Sequence, residues 1–106
     1  MNRYMRIASV AVLAGMLHGC TWVKPTPEGE FVRVAAANAV TDCKRMSKVT
    51  VSLKNRVAGV ERNSEKVARE LATLARNEGG RLGGDTVVAE SEISGGSQTF
   101  AIYDCR

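Results

Sequence analysis

Three cysteines, at positions 20, 43 and 105, are the residues of this chain with the widest chemical reach. A thiol can be acylated, joined in a disulfide, used as a metal ligand or used as a nucleophile, and its neighbours decide which. The metal and nucleophile roles usually need an imidazole. The only histidine, His18, falls within a segment that reads as a cleavable leader. The chain beyond it therefore offers no imidazole for a triad, a haem or a zinc site. We expect no catalytic residue, no metal and no cofactor. Glu90 and Glu92 are two apart on a strand-like run, so their carboxylates share a face as a glycosidase pair would. A solvated sheet face accounts for them equally well. The run Gly79-Gly80-Arg81-Leu82-Gly83-Gly84 lacks the GK[ST] ending of a phosphate loop and sits at the wrong end of a helix. Its Gly80–Gly83 part also matches the GXXG pattern that clamps RNA backbone. Both are better read as a helix cap and tight turn. Lys44, Arg45 and Lys48, with Lys54, Arg56 and Arg62, form a basic stretch suited to phospholipid or lipopolysaccharide headgroups, or simply to water.

Arg3 and Arg6 precede an apolar run, Ile7 to Leu17, broken only by Ser9 and Gly15. That is signal-peptide length; a membrane span needs about 20 apolar residues. The following Leu17-His18-Gly19-Cys20 resembles the lipobox of bacterial lipoproteins. The resemblance implies acylation of the Cys20 thiol, palmitate included, cleavage before Cys20, and a third acyl chain on the new amine. Residues 1–19 are then signal peptide and 20–30 a lipidated tether, leaving 31–106 as one small domain. With Cys20 assigned to lipid, Cys43 and Cys105 are left to pair in an oxidising compartment. Closing that 62-residue separation stabilises by roughly 4 kcal/mol in the chain-entropy model. Of the formal charge of +4, two units belong to the leader. The remaining small excess does not call for nucleic acid, and export argues against it.

The elements that must position these groups follow from periodicity. Thr21 to Glu30 (TWVKPTPEGE) reads as an extended tether, stiffened by Pro25 and Pro27 and spanning roughly 30 Å. Trp22 suits the headgroup region of a bilayer. Phe31 to Val34 reads as a strand, Asn38 and Asp42 bracket a turn, and Cys43 to Ser52 alternates as a second strand with one wet face. Leu53 to Asn63 is a polar connection whose Arg56, Val57, Val60 and Arg62 combine apolar and basic groups, a candidate partner contact. A helix from Ser64 to Leu82 places Val67, Leu71, Leu74, Ala75 and Leu82 on one face. Asn63 or Ser64 caps it, Glu65–Arg69 is an i,i+4 pair, and Gly83 is its left-handed stop. Asp85 to Glu92 is a third strand, Ser94-Gly95-Gly96-Ser97 a hairpin loop and Gln98 to Cys105 a fourth strand. Phe100 and Ile102 share one face of it, Ala101, Tyr103 and Cys105 the other. The predicted fold is α+β in two layers, β-β-α-β-β, one helix on a small four-stranded sheet with one disulfide. The helical path between strands two and three is long enough for a right-handed crossover.

Cys43 at the opening of strand two, the Ala-rich helix running into Leu82-Gly83-Gly84-Asp85-Thr86-Val87-Val88, and the terminal Tyr103-Asp104-Cys105 together resemble the YjeI-like lipoproteins, a domain of unknown function, over Phe31 to Arg106. The fold is also similar to the signalling domain of the outer-membrane Rcs stress sensor RcsF, although that family has two disulfides and a long tether. Thr21 stands where an aspartate retains lipoproteins in the inner membrane, so the resemblance implies the periplasmic face of the outer membrane. These motifs carry fold rather than activity, and the function we expect is that of a non-enzymatic envelope lipoprotein that binds a partner protein or envelope polymer in stress sensing or envelope maintenance. The alternative is an inhibitor of a host or rival lysozyme-like hydrolase.

Overall fold

A computed structural model describes residues 23–53 and 63–106. Cys20, the leader, Trp22 and the four contact candidates Arg56, Val57, Val60 and Arg62 lie outside the described residues. The described chain forms strands β1 (Arg33–Val34) and β2 (Lys44–Ser52), helix α1 (Ser64–Arg81), and strands β3 (Thr86–Ala89) and β4 (Ser97–Asp104). The sheet order is β1-β3-β4-β2. β4 runs antiparallel to both its neighbours, and β1 runs parallel to β3. β2 and β3 are therefore parallel to each other with β4 between them, and α1 makes the crossover over that strand. The two-layer α+β arrangement with one helix on a four-stranded sheet is the one that alternation and helical spacing predicted.

The core lies between α1 and one sheet face. Leu71 and Ala75 from the helix meet Val51, Val87, Phe100 and Ile102 from the strands, with Val32 and Leu53 at the margins. Val67 and Leu74 are half-buried against the same cluster. Phe100 and Ile102 point toward the helix while Ala101, between them, is fully buried on the other side. β4 lies inside the sheet between β3 and β2, apolar toward the helix and mixed on the opposite face, where Ser97 and Thr99 precede Ala101.

Both helix ends are capped by side chain or backbone. The Asn63 carboxamide oxygen accepts hydrogen bonds from the Glu65 and Lys66 amides at 2.8 and 3.1 Å, satisfying two otherwise orphaned donors. The i,i+4 ion pair seen among the described residues is Lys66–Glu70 at 4.0 Å, one position along from the expected Glu65–Arg69. At the far end, Gly84 donates to the Gly79 carbonyl and Gly83 to that of Gly80. With Gly83 at φ +91°, these two bonds make a Schellman stop.

That stop corrects one assignment. Leu82 was expected on the buried face, but it is the C-cap and is 40% exposed. Gly79 holds the sheet-facing position instead, so close to β3 that an added Cβ would sit 2.9 Å from a Val87 methyl.

The start of the domain is also corrected. Phe31 is not in a strand: Gly29–Phe31 is a 3-10 turn and leaves Phe31 84% exposed. β1 begins only at Arg33, where the Arg33 amide bonds the Asp85 carbonyl. Residues 23–31, read as tether and strand, are folded onto α1. β3 ends at Ala89, short of the expected Glu92, although the Glu90 amide still bonds the Thr99 carbonyl. Gly95 and Gly96 both take positive φ in a two-residue hairpin loop closed by reciprocal Ser94–Ser97 bonds, the geometry that matches strand twist.

Candidate functional site

The first chemical group to place is the cysteine pair. Lys44 and Asp104 are register partners on β2 and β4, so Cys43 and Cys105 are the next residues out along the same ladder. Their sulfurs are bonded, with the Cα atoms 4.5 Å apart. The link closes the end of β2, an edge strand held in the sheet by β4 alone. Asp85 organises the other side of this corner. Its carboxylate accepts from the Cys105 amide at 2.9 Å and the Thr86 hydroxyl at 3.0 Å, and it pairs with Arg106 at 3.2 Å. Thr86 is fully buried, and that hydrogen bond keeps its hydroxyl from being orphaned. Arg106 also reaches Asp104 and the Gly83 carbonyl. The Gly80–Gly83 stretch is thus a helix stop tied to Arg106: the Leu82 and Gly83 amides are spent on the helix carbonyls of Glu78 and Gly80, and the Gly83 carbonyl accepts from the Arg106 guanidinium.

Of the two carboxylates, Glu90 accepts hydrogen bonds from both terminal guanidinium nitrogens of Arg45, and both Glu90 and Glu92 lie past the end of β3 at Ala89 rather than on the strand expected to set them on one face. The Arg45 hydrogen bond holds the Glu90 carboxyl below the usual range, with Lys48 contributing a smaller pull. Arg81 does the same to Glu78, and the Arg106 amide and guanidinium do so to Asp104. A carboxylate with a depressed native pKa stabilises the fold above its unfolded pKa and loses that contribution as pH falls through the native one. Stability should therefore decline on acidification below the ordinary carboxylate range. Because these groups are solvent-exposed the effect is small. Glu90→Gln should flatten part of the acid limb of a denaturation-midpoint-versus-pH profile; an unchanged slope would show that the pair contributes nothing.

Beside Arg45 and Glu90, the face opposite the helix carries paired hydroxyls. Thr50 and Thr99 lie 2.7 Å apart and Ser52 and Ser97 2.6 Å apart. Each cross-strand pair uses one hydroxyl as donor and the other as acceptor, a contact that helps hold β2 to β4. Of the basic stretch, Arg45 is engaged by Glu90, whereas Lys44 and Lys48 are exposed on β2.

A feature that the sequence reading missed is the N-terminal arm. Asn77 is its clasp. The Asn77 side-chain oxygen accepts from the Thr26 amide at 2.9 Å, and its amide nitrogen donates to the Lys24 carbonyl at 2.9 Å. Arg76 donates to the Val32 carbonyl at 2.7 Å and reaches that of Glu30. Gly80 lets the arm approach: a Cβ there would lie 2.7 Å from the Glu28 carbonyl. Val23 packs on the core cluster. The only local hint was an asparagine inside a helix, where its propensity is poor and a partner is wanted. Asn77→Ala should release the arm, costing about 1–3 kcal/mol for the unpaired groups. Amide exchange at Thr26 and Gly29 should accelerate while Leu71 and Ala75 keep their protection; unaltered exchange in the arm would remove the clasp from the account.

Exposed large apolar side chains lie at Phe31, Val34, Met46, Leu82 and Ile93. Among the described residues no cluster of three metal-ligating side chains occurs, and no helix is long and apolar enough to cross a membrane. No curated protein and no solved structure matches the chain. One family model does, over residues 23–105, the same stretch that opens with the docked arm and closes with the disulfide. The chain therefore belongs to the DUF4156 family, a domain of unknown function.

Proposed function

We propose that this protein is a cell-envelope lipoprotein, anchored through acylated Cys20 to the periplasmic face of the outer membrane, that works by contact rather than catalysis. Kinship with the YjeI-like lipoproteins and the RcsF signalling domain belongs to the same reading, with a role in stress sensing or envelope maintenance. The observation that carries the contact reading is Phe31. A large aromatic side chain stands 84% exposed on a 3-10 turn whose backbone is pinned to α1. Burying an aromatic of this kind in a partner is the usual source of interface energy, and among the described residues Phe31 is not part of the core cluster. Arg56, Val57, Val60 and Arg62 form a second proposed contact segment.

The test is a photoreactive phenylalanine analogue at position 31 in intact cells. Repeated capture of one envelope protein, lost when position 31 is serine in a folded protein, supports the reading. Capture of a lysozyme-like hydrolase favours the inhibitor role instead. Absence of any product from position 31, together with full activity of the Phe31→Ser protein, overturns Phe31 as the contact. Cys20→Ala should move the domain from the membrane fraction to the soluble fraction, since multiple acyl chains make such anchoring stable.

A further inference from the structure

The docked arm gives the domain a direction. Val23 borders a cleft of about 350 Å³ with Lys66, Arg69 and Glu70 from the first half of α1 and Thr73 at its middle. Lys24 and Thr26 are held at Asn77, and Glu28 abuts Gly80. The arm therefore climbs α1 toward its C-terminal end, and Val23, the first described residue, lies beside the first half of the helix.

Cys20 is three residues before Val23. Fully extended, that stretch reaches about 11 Å. Helix α1, eighteen residues long, measures about 27 Å. A free tether from Cys20 to Phe31 would span roughly 30 Å and allow any orientation. A reach of 11 Å does not allow the long axis to reverse.

We propose that, given the lipid anchor on Cys20 inferred above, the first half of α1 is a membrane-contact surface. It holds the Val23 cleft against phospholipid headgroups and turns the disulfide end of the domain away from the bilayer. The chemistry of the surface suits that neighbour. Arg69 and Lys66, the latter paired with Glu70, supply cations on long apolar stems beside Val23, and Glu70 is the one carboxylate among the described residues lining the cleft. Lysine and arginine stems lie along apolar surface while their heads meet phosphates. The surface bearing Leu82, Gly83 and the Cys43–Cys105 bond is left facing the periplasm, available to a partner.

The experiment uses the full acylated protein in vesicles of phosphatidylethanolamine and phosphatidylglycerol. A nitroxide is attached at Arg69→Cys or, as the distal control, at Arg81→Cys. The control is twelve residues along α1, about 18 Å away. Nickel chelated to lipid headgroups should relax the label at position 69 several-fold more than the label at 81. A flexible Gly-Ser insertion between Thr21 and Trp22, which leaves the arm from Val23 onward unchanged, should bring the two to parity. Equal relaxation in the uninserted, acylated, vesicle-bound protein overturns the orientation alone. Asymmetry that survives the insertion overturns the arm as its cause. Mature protein that lacks acyl mass and fails to float with vesicles overturns the anchor and the orientation with it.

Discussion

Cys43→Ser should lower the free energy of unfolding by about 4 kcal/mol, one of the two largest effects expected from a single substitution here. The Cys43–Cys105 bond spans 62 positions, so removing it returns that loop's freedom to the unfolded chain. In the native state the β2–β4 register holds the two residues side by side, and little native geometry need change. A domain of this size has roughly 5–10 kcal/mol in total, so the variant should sit close to its unfolding threshold. Urea titration should show a lower midpoint and also a steeper slope, because the unlinked chain exposes more surface when it unfolds. Treating the wild type with reductant should reproduce both changes. A variant with an unchanged midpoint would mean that the bond restrains nothing the sheet does not already hold. Fraying should begin at β2, the edge strand, and appear first in the amide exchange of its N-terminal residues.

Leu71→Ala should cost about 2–5 kcal/mol. Leu71 is fully buried at the centre of the helix–sheet interface. The cavity cannot readily collapse, because Ala75 one turn on is already small and fully buried. Arg69→Ala, two positions earlier and exposed, should change stability little. Thermal melts of the pair make the comparison internal to one helix. Equal small shifts would mean that the helix presents a different face to the sheet than these burials indicate.

How much of this was legible without coordinates depends on the range of the interaction. The helix was legible because Val67, Leu71, Leu74 and Ala75 repeat at its own period, and its cap and stop, Asn63 and Gly83, act on adjacent backbone. The hairpin at Ser94–Ser97 was legible because paired glycines at positive φ are a local requirement. Leu82 misled because it keeps the helical phase for one residue beyond the point where the Schellman bonds turn the chain away. The clasp was invisible because its two halves, Thr26 and Asn77, lie 51 positions apart. Pro25 and Pro27 make that stretch look like a linker, since proline stiffness is the same in a free tether and in a docked arm.

By itself the sequence determined the two-layer composition, the helix with its buried face up to Ala75, and the alternation of β4, all of which rest on spacing along the chain and on residue chemistry; the pairing of Cys43 with Cys105 followed from the lipobox resemblance at Cys20. Only the tertiary structure decided the strand order β1-β3-β4-β2, the capture of Glu90 by Arg45, and the folding of residues 23–31 onto α1. Each of these depends on which distant surfaces meet. That choice is made by the summed burial and hydrogen bonding of many residues at once, and no local pattern encodes it.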